Sequence, residues 1–261
     1  MPEILVTVAS KLTLSLHVVG ARADGYHELD ATMVSLAEPN DQLVVSPARR
    51  MSLTITGPFA AGVPPDATNL AWRAAEACNE RLKIQLHKGI PSGAGLGGGS
   101  ADAAGVLVAL RADSAIAATL GADVPFCMQG GFARVGGIGD RLRPGEVPEV
   151  WVVVAAPPFG CATADVYRAW DELGGPQHPV NDLQPAAERV EPRLVEFRER
   201  VEAAAGAPAI LAGSGSSYAV VFEDIELADR ARARVAAAVD GTVWLSATSR
   251  FGVIANRPGA A

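Results

Sequence analysis

A glycine-rich turn between a strand and a helix constrains the fold of this chain more than any other feature. It reads Pro91-Ser-Gly-Ala-Gly-Leu-Gly-Gly-Gly-Ser100-Ala-Asp-Ala-Ala104, after an alternating strand pattern at 82–88 and before a helix predicted at 100–111. Glycines let backbone N–H groups converge without obstruction by side chains, and Ser100 is a good N-cap. With the positive end of the helix dipole, the turn predicts a phosphate site. The alternative is a flexible linker, but a linker has no reason to join a strong strand directly to a strong helix.

Two widespread phosphate loops fit this turn less well. A P-loop needs lysine after its last glycine, whereas here Gly99 is followed by Ser100. The dinucleotide fingerprint matches at Gly93-x-Gly95-x-x-Gly98, and Asp113 lies at the expected distance of about 20 residues. However, Pro91 interrupts the junction of strand and turn, and Asp113 is not at a strand end. A dinucleotide-binding oxidoreductase therefore stays as an alternative.

Composition excludes several classes of protein. The chain has 22 basic and 29 acidic residues and a net charge of −7, which argues against a nucleic-acid binder. Of the basic residues, 19 are arginine and only Lys11, Lys83 and Lys88 are lysine. No apolar run approaches the ~18 residues of a membrane span, and the N-terminus lacks the basic region of a signal peptide. The three cysteines, Cys78, Cys127 and Cys161, are widely spaced, and the four histidines form no zinc motif. We therefore expect a cytoplasmic, metal-poor globular protein that binds neither nucleic acid nor membrane.

The remaining pattern mixes strands and helices without strict alternation, which favours an α+β fold. Strands are predicted at 4–9, 12–19, 31–37, 42–46, 51–56, 82–88, 150–156, 217–222, 242–247 and 252–255. Helices are predicted from the capping residue Thr68, at 100–111, before a left-handed cap at Gly121, near 163–173, within 184–205 and at 225–239. Segment 126–135 is typical of strand and turn. The turn-rich segment 136–149 predicts a boundary between domains 1–148 and 149–261.

At this point a family resemblance becomes specific. Segment 91–101, P-x-x-x-G-L-G-G-G-S-A, resembles the phosphate loop of the GHMP kinases, which include galactokinase, homoserine kinase and mevalonate kinase. Arg22-Ala-Asp24-Gly25-Tyr26-His27-Glu28 and Leu120-Gly-Ala-Asp123-Val-Pro-Phe126 are similar to segments of one branch of that family. That branch phosphorylates the 2-hydroxyl of a cytidine diphosphate ester of methylerythritol in the non-mevalonate isoprenoid pathway. The resemblance runs from Lys11 to about Ser216 and implies a two-domain GHMP kinase fold. Its N-terminal domain would be ribosomal protein S5 domain 2-like and carry the ATP-binding glycine loop, and its C-terminal domain would be ferredoxin-like.

The resemblance also implies a role for individual residues. Asp123 would accept the proton of the substrate hydroxyl, with Lys11 beside it. From the residues alone, Asp123 would be interpreted as a surface turn residue and Lys11 as a solvent-facing charge on an edge strand. The residues expected to bind ATP are Asn69, Leu70, Lys88, Pro91, Gly93, Gly95, Leu96, Gly97, Gly98, Gly99 and Ser100. Those expected to bind the substrate are Thr13, Tyr26, His27, Tyr167, Gly213, Ser214 and Gly215. Tyr26, His27 and Tyr167 would contact the cytosine of the substrate. The alternative for Tyr167 is packing in the core, and the alternative for Lys88 is an ordinary charge at the end of a strand. Asn181-Asp-Leu183 matches a family segment and is interpreted as structural.

ATP chemistry implies Mg²⁺ as a further cofactor. No ligand cluster is evident, so we expect the ion to be held mostly by phosphate and water, with Ser100 and Asp123 nearby and no dedicated protein site. Three departures bear on activity: Thr13 stands where the family usually has asparagine, Ala101 replaces a second serine, and the segment from Leu110 to Gly121 is short. The alternatives are another GHMP kinase of the homoserine or mevalonate type, or a catalytically idle nucleotide sensor. A monomer or weak homodimer is expected.

Overall fold

Two long antiparallel strands organise the structure. The computed structural model of the chain describes residues 2–23 and 25–256, so Asp24 of the predicted substrate motif lies outside the described residues. Strand β1 (Ile4–Ala21) pairs with β2 (His27–Pro47) over almost its whole length. Each covers two predicted strands, so the predicted breaks are wrong. A register shift between Ala9 and Ser10 lets β1 continue past the first of them, since a β-bulge bends a strand without ending it.

The other strands extend this pair on both sides. They are β3 (Ser52–Thr56), β4 (Leu82–His87), β5 (Phe132–Gly137), β6 (Arg141–Gly145), β7 (Trp151–Ala156), β8 (Ile210–Leu211), β9 (Tyr218–Phe222), β10 (Thr242–Ser249) and β11 (Val253–Asn256). Within the described residues they form one sheet, in which β11-β1-β2-β10-β7-β9-β8 are successive neighbours. β4 and β5 pair with opposite ends of β2, β3 runs parallel to β4, and β6 is antiparallel to β5. The last two strands of the chain thus return to β2 and β1, while the domain division at 148/149 stays a prediction.

Helices cover the sheet and enclose two apolar cores. They are α1 (Leu70–Ala77), α2 (Gly98–Leu110), α3 (Ser114–Leu120), α4 (Val124–Gln129), α5 (Thr163–Glu172), α6 (Gln184–Val190), α7 (Arg193–Ala205) and α8 (Ile225–Ala238). One core lies among β1, β2, β4, α1 and α2, and the other among β7, β9 and α5 to α8. Helix α2 is made of small and apolar residues and is buried on nearly all sides, as expected of a central helix. The predicted α+β class is confirmed. No helix in the described part of the chain has the length and apolar content to cross a bilayer.

Several local predictions are wrong for identifiable reasons. The cap of α1 is Asn69, whose side chain accepts the Ala71 amide, rather than Thr68. Gly121 has a φ of 171°, an extended conformation and not a left-handed cap. Segment 126–135, predicted as strand and turn, begins inside helix α4, for which Pro125 in the first turn was the available signal, and is strand from Phe132 onward as predicted. The turn-rich segment 136–149 contains strand β6, which is exposed and paired on β5 alone, so it carries little apolar pattern. Strand β8 is missed because it has two residues.

Candidate active site

An open cleft of about 600 Å³ brings most of the predicted site residues together. Its size falls in the range of small-molecule sites, about 300–1,000 Å³. The predicted residues that line it are Lys11, Thr13, Tyr26, His27, Leu70, Pro91, Gly93, Gly95, Leu96, Gly97, Gly98, Gly99, Ser100, Asp123, Tyr167, Gly213 and Ser214. Three predicted site residues, Asn69, Lys88 and Gly215, are not part of this lining. The cleft is therefore bounded by the glycine loop on one wall and an aromatic cluster on another.

The backbone of the glycine loop is held by hydrogen bonds to distant parts of the chain. The Lys11 amide donates to the carbonyl of Leu96 over 3.0 Å, and the Ser217 amide donates to that of Ala94 over 3.1 Å. Gly95 has a left-handed φ of +76°, and a methyl group there would lie 1.9 Å from the carbonyl oxygen of Ala212. Glycine is therefore required at position 95 both by backbone conformation and by close approach. These contacts join the loop to β1 and to the C-terminal glycine turn.

The start of α2 presents free backbone donors to the cleft. The helix begins at Gly98 after the left-handed Gly97, and no side chain caps it, so Ser100 is not the N-cap predicted. The first intrahelical bond runs from the Ala101 amide to Gly97, which leaves the amides of Gly98, Gly99 and Ser100 without partners inside the helix. All three residues line the cleft, so this end of α2 is arranged to bind an anion. Ala101 is fully buried, so the missing serine hydroxyl falls at a position that faces the core.

An ammonium and a carboxylate meet beside the loop. The Nζ atom of Lys11 lies 3.4 Å from Oδ2 of Asp123 and donates to Oγ1 of Thr13 over 3.3 Å. The Lys11 side chain is 7% exposed, whereas that of Asp123 is 30% exposed. Asp123 therefore offers a carboxylate edge to the cleft while the ammonium stays sheltered. A methyl group at Gly213 would lie 3.2 Å from the same Nζ, so the C-terminal glycine turn closes over this pair.

Aromatic rings form another wall of the cleft. The His27 ring stacks on Tyr167 with centroids 4.9 Å apart and meets Trp170 edge-on at 5.4 Å. Its Nε2 atom lies 2.8 Å from Oδ1 of Asp171, while Tyr26 stands 59% exposed at the rim. Burial, with a smaller contribution from Asp123, raises the pKa of Tyr167, so this phenol stays neutral. Sequence reasoning missed Trp170 and Asp171, although their spacing of three and four from Tyr167 places all three on one helix face.

Two of the three predicted residues outside the lining, Asn69 and Lys88, have partners within the fold. Asn69 caps α1 and donates to the carbonyl of Pro64 over 3.0 Å. Lys88 is buried beneath the loop, and its ammonium contacts the carboxylates of Asp41 and Asp102. Burial lowers the pKa of Lys88, but the charges of Asp102 and Asp41 outweigh this and raise it. Lys88 is therefore a charged group behind the cleft wall rather than a strand-end surface charge.

The Asn181-Asp-Leu183 segment fixes the C-terminal glycine turn. The Asn181 amide nitrogen donates to the carbonyls of Leu211 and Gly213 over 2.9 and 2.8 Å, and its oxygen accepts the Leu183 amide. Every polar atom of this buried side chain is therefore used in holding the backbone. This agrees with the structural interpretation made from the sequence. Asp113 caps α3 by accepting the Ala115 amide, which is the ordinary role of an aspartate before a helix.

Comparisons with known proteins identify the family and the fold. Residues 69–131 match the GHMP kinases N terminal domain family. A protein of Cereibacter sphaeroides named 4-diphosphocytidyl-2-C-methyl-D-erythritol kinase is 35% identical over 93% of this chain and 97% of its own length. A crystal structure of 4-(cytidine 5'-diphospho)-2C-methyl-D-erythritol kinase superposes with a TM-score of 0.76 at 35% identity, covering 94% and 99% of the two chains. Homoserine kinase from Cytophaga hutchinsonii superposes with a TM-score of 0.70 over 98% of both chains, but at 16% identity it shares the fold alone.

Proposed function

The chain belongs to the 4-diphosphocytidyl-2-C-methyl-D-erythritol kinases within the GHMP kinase family, and from this membership we propose how its cleft transfers a phosphoryl group. It is an ATP-dependent small-molecule kinase of the non-mevalonate isoprenoid pathway. The observation that supports the proposal most directly is the Lys11–Asp123 pair, 3.4 Å apart, next to the free amides at the start of α2. Phosphoryl transfer to an alcohol needs positioning, charge neutralisation and an acceptor for the hydroxyl proton, and this arrangement supplies each.

We assign these needs to separate groups. The amides of Gly98, Gly99 and Ser100 bind the ATP phosphates, as helix N-termini bind anions in general. Asp123 accepts the proton of the 2-hydroxyl as that oxygen attacks the γ-phosphorus and ADP leaves. The ammonium of Lys11 offsets negative charge that gathers on the transferring phosphoryl group. Because Lys11 is sheltered and hydrogen-bonded to Thr13, its charge is held in place before the substrates arrive.

The aromatic wall is proposed to hold the cytosine. Tyr26 at the rim and Tyr167 inside the cleft offer ring faces on which a base stacks. His27 adds an imidazole whose Nε2 is engaged by Asp171, while its Nδ1 has no hydrogen-bond partner among the described residues. Nδ1 is therefore the atom of His27 that we assign to the base. A homoserine or mevalonate kinase has no base to place here, and an idle sensor has no need of both Lys11 and Asp123.

Mg²⁺ remains part of the proposal. Among the described residues there is no group of three or more histidine, cysteine, aspartate or glutamate side chains suited to a metal ion. Asp123 and Ser100 are two of the oxygen-bearing side chains that line the cleft, and oxygen is the ligand Mg²⁺ prefers. The ion commonly keeps waters and substrate phosphates as its other ligands. The residues therefore fit an ion carried in with ATP. When bound, it neutralises charge on the β- and γ-phosphates.

A coupled ADP-release assay tests the assignment. The purified chain is given ATP and Mg²⁺ with the cytidyl substrate, homoserine, mevalonate or galactose in separate reactions. We expect ADP release with the cytidyl substrate alone. Release with one of the other three acceptors and none with the cytidyl substrate would leave a GHMP kinase of different specificity. The cytoplasmic location and the state of monomer or weak homodimer stay predictions, which fractionation and light scattering measure.

A further inference from the structure

A buried cluster of three charged side chains lies directly beneath the glycine loop. Lys88 follows β4, Asp41 belongs to β2 and Asp102 to α2, and none of the three side chains is more than 2% exposed. The Lys88 ammonium contacts the Asp41 carboxylate and lies 2.8 Å from Oδ2 of Asp102. We call these three residues the clasp. Its charges are paired with each other and have no access to a ligand in the cleft.

The clasp connects the two ends of the glycine loop. At the entrance, Oδ1 of Asp41 accepts the amides of Gly89 and Ile90 over 2.6 and 2.8 Å. At the exit, Asp102 is the fifth residue of α2, and its carboxylate accepts a hydrogen bond from the Lys88 ammonium. A methyl group at Gly98 would lie 3.1 Å from Nζ of Lys88, so the ammonium sits just under the first residue of the helix. One cation therefore fixes the separation of the strand that enters the loop and the helix that leaves it.

The clasp lowers the stability of the fold more than a purely structural element of apolar side chains would. Two carboxylates share one ammonium, and Oδ1 of Asp102 is buried with no hydrogen-bond partner among the described residues. Buried charges are costly to desolvate, and apolar side chains of similar size often stabilise a core as well or better. Burial raises the pKa of Asp102 well above its usual range, against the opposing effect of Lys88, which is a further sign of this cost. A cluster that costs stability is more easily explained by what it does to the loop above it.

We propose that Lys88 and Asp102 are positioning residues for ATP, which set the spacing of the loop amides without touching the nucleotide. This inference rests on the nucleotide site proposed above. In this role the clasp acts on the amides of Gly98, Gly99 and Ser100 through the first turns of α2. Losing one of its bonds lets the helix start shift relative to the loop entrance. The binding of ATP then weakens, whereas the aromatic wall of the cleft is left as it was.

The variant Asp102→Ala tests this with least damage to the fold, because it leaves Lys88 paired with Asp41 and removes the unpartnered oxygen. We expect the Kd and KM for ATP to rise about tenfold or more, the size given by loss of a charge-assisted hydrogen bond. The KM for the cytidyl substrate should change less than about twofold, a split that general loss of structure does not produce. Asp102→Asn keeps an acceptor oxygen for Nζ and should restore ATP binding to within about threefold of the parent.

A second pair of variants distinguishes the loss of the clasp from the loss of any lysine near the loop. Lys88→Met removes the cation, and Lys83→Met removes an exposed lysine of the preceding strand β4 as the control. The first should weaken ATP binding at least as much as Asp102→Ala, and the second should leave it unchanged. If Lys88→Met does not fold, the two Asp102 variants decide. Calorimetric titration with ATP alone needs no phosphoryl acceptor, so the clasp is tested even if the proposed reaction is not observed.

The proposal is overturned by any of three results. The first is that Asp102→Ala binds ATP as tightly as the parent. The second is that Asp102→Ala raises the KM for ATP and the KM for the cytidyl substrate by the same factor. The third is that Asp102→Asn does not restore ATP binding.

Discussion

Replacement of Gly95 by alanine tests whether the glycine loop and the C-terminal glycine turn act as one unit. The added methyl group would lie 1.9 Å from the carbonyl oxygen of Ala212 and 2.9 Å from that of Gly215, both of them backbone atoms that cannot rotate away. Contacts of this kind are essentially never shorter than 3.0 Å, so loop and turn must separate by about 1 Å. Alanine at a φ of +76° also carries a left-handed strain of roughly 1–2 kcal/mol.

These two effects give the expected magnitude. Overpacking of this kind costs about 1–3 kcal/mol, so with the strain the free energy of unfolding should fall by roughly 2–5 kcal/mol. A displacement of about 1 Å in a positioned site lowers the rate by about a hundredfold. We therefore expect kcat/KM for ATP to fall by at least that factor. Urea denaturation measures the stability, and the ADP-release assay measures the rate at a temperature where the variant is folded.

Gly206 provides a matched control for the backbone strain. It has the same φ of +76°, caps the end of α7 and has no atom within 4 Å of an added methyl group. Gly206→Ala should therefore lose the roughly 1–2 kcal/mol of strain and keep full activity. Activity of Gly95→Ala within about threefold of the parent would refute the close contact of loop and turn. Equal losses of activity in the two variants would show that strain, and not displacement of the loop, is responsible.

Four further changes test the rest of the site. Asp123→Asn should lower kcat by about 10²–10⁴-fold with little change in the Kd for ATP, because the loop amides hold the phosphates; ADP release and calorimetry measure the two. Tyr26→Ala should raise the KM for the cytidyl substrate by about 5- to 100-fold, since stacking on a base contributes roughly 1–3 kcal/mol; an unchanged KM at saturating ATP would remove the stacking assignment. Asp171→Ala frees Nε2 of His27 and should raise the same KM without affecting that for ATP, as initial rates at varied concentrations of each substrate will show. Burial raises the pKa of Cys161 to about 11, so its alkylation, followed by mass spectrometry, should be slow at pH 8 and accelerate about tenfold per pH unit up to that value.

Much of the cleft could be predicted because its signals are local. The glycine loop is recognisable from a short run of consecutive residues. Gly93, Gly95 and Gly97 each take a φ between +71° and +76°, which other residues avoid. The same is true of the helix that follows, although its first residue is Gly98 and not Ser100. The serine is a better cap by propensity. In the folded chain, however, a capping side chain would occupy the amides that an anion needs, and the left-handed Gly97 ends the loop instead.

What the sequence does not contain is the pairing of residues that are far apart along the chain. His27 and Asp171 are 144 positions apart, and Lys88 meets Asp41 over 47 positions. No periodicity connects such pairs, because they depend on how β2 lies against α5 and against the end of β4. Lys88 illustrates the consequence. Its position next to the loop predicted contact with the nucleotide, and nothing in that local pattern indicated that the fold pairs its ammonium with two carboxylates.

The chain has a net charge of −7, yet its proposed ligands are also anions. The positions of its positive groups explain how the two are compatible. Most basic residues are arginine, whereas Lys11 is the one lysine or arginine among the described residues that line the cleft. A guanidinium is planar and broad, while an ammonium on a flexible stem fits the narrow spaces beneath Gly98 and beside Asp123. In the proposed site, phosphate binding would therefore rely on neutral backbone amides and a helix terminus, helped by Lys11, and not on a basic surface. Because few mobile counterions would be released from such a site, the affinity for ATP should depend only weakly on salt, unlike that of a protein that binds polyanions through a basic patch.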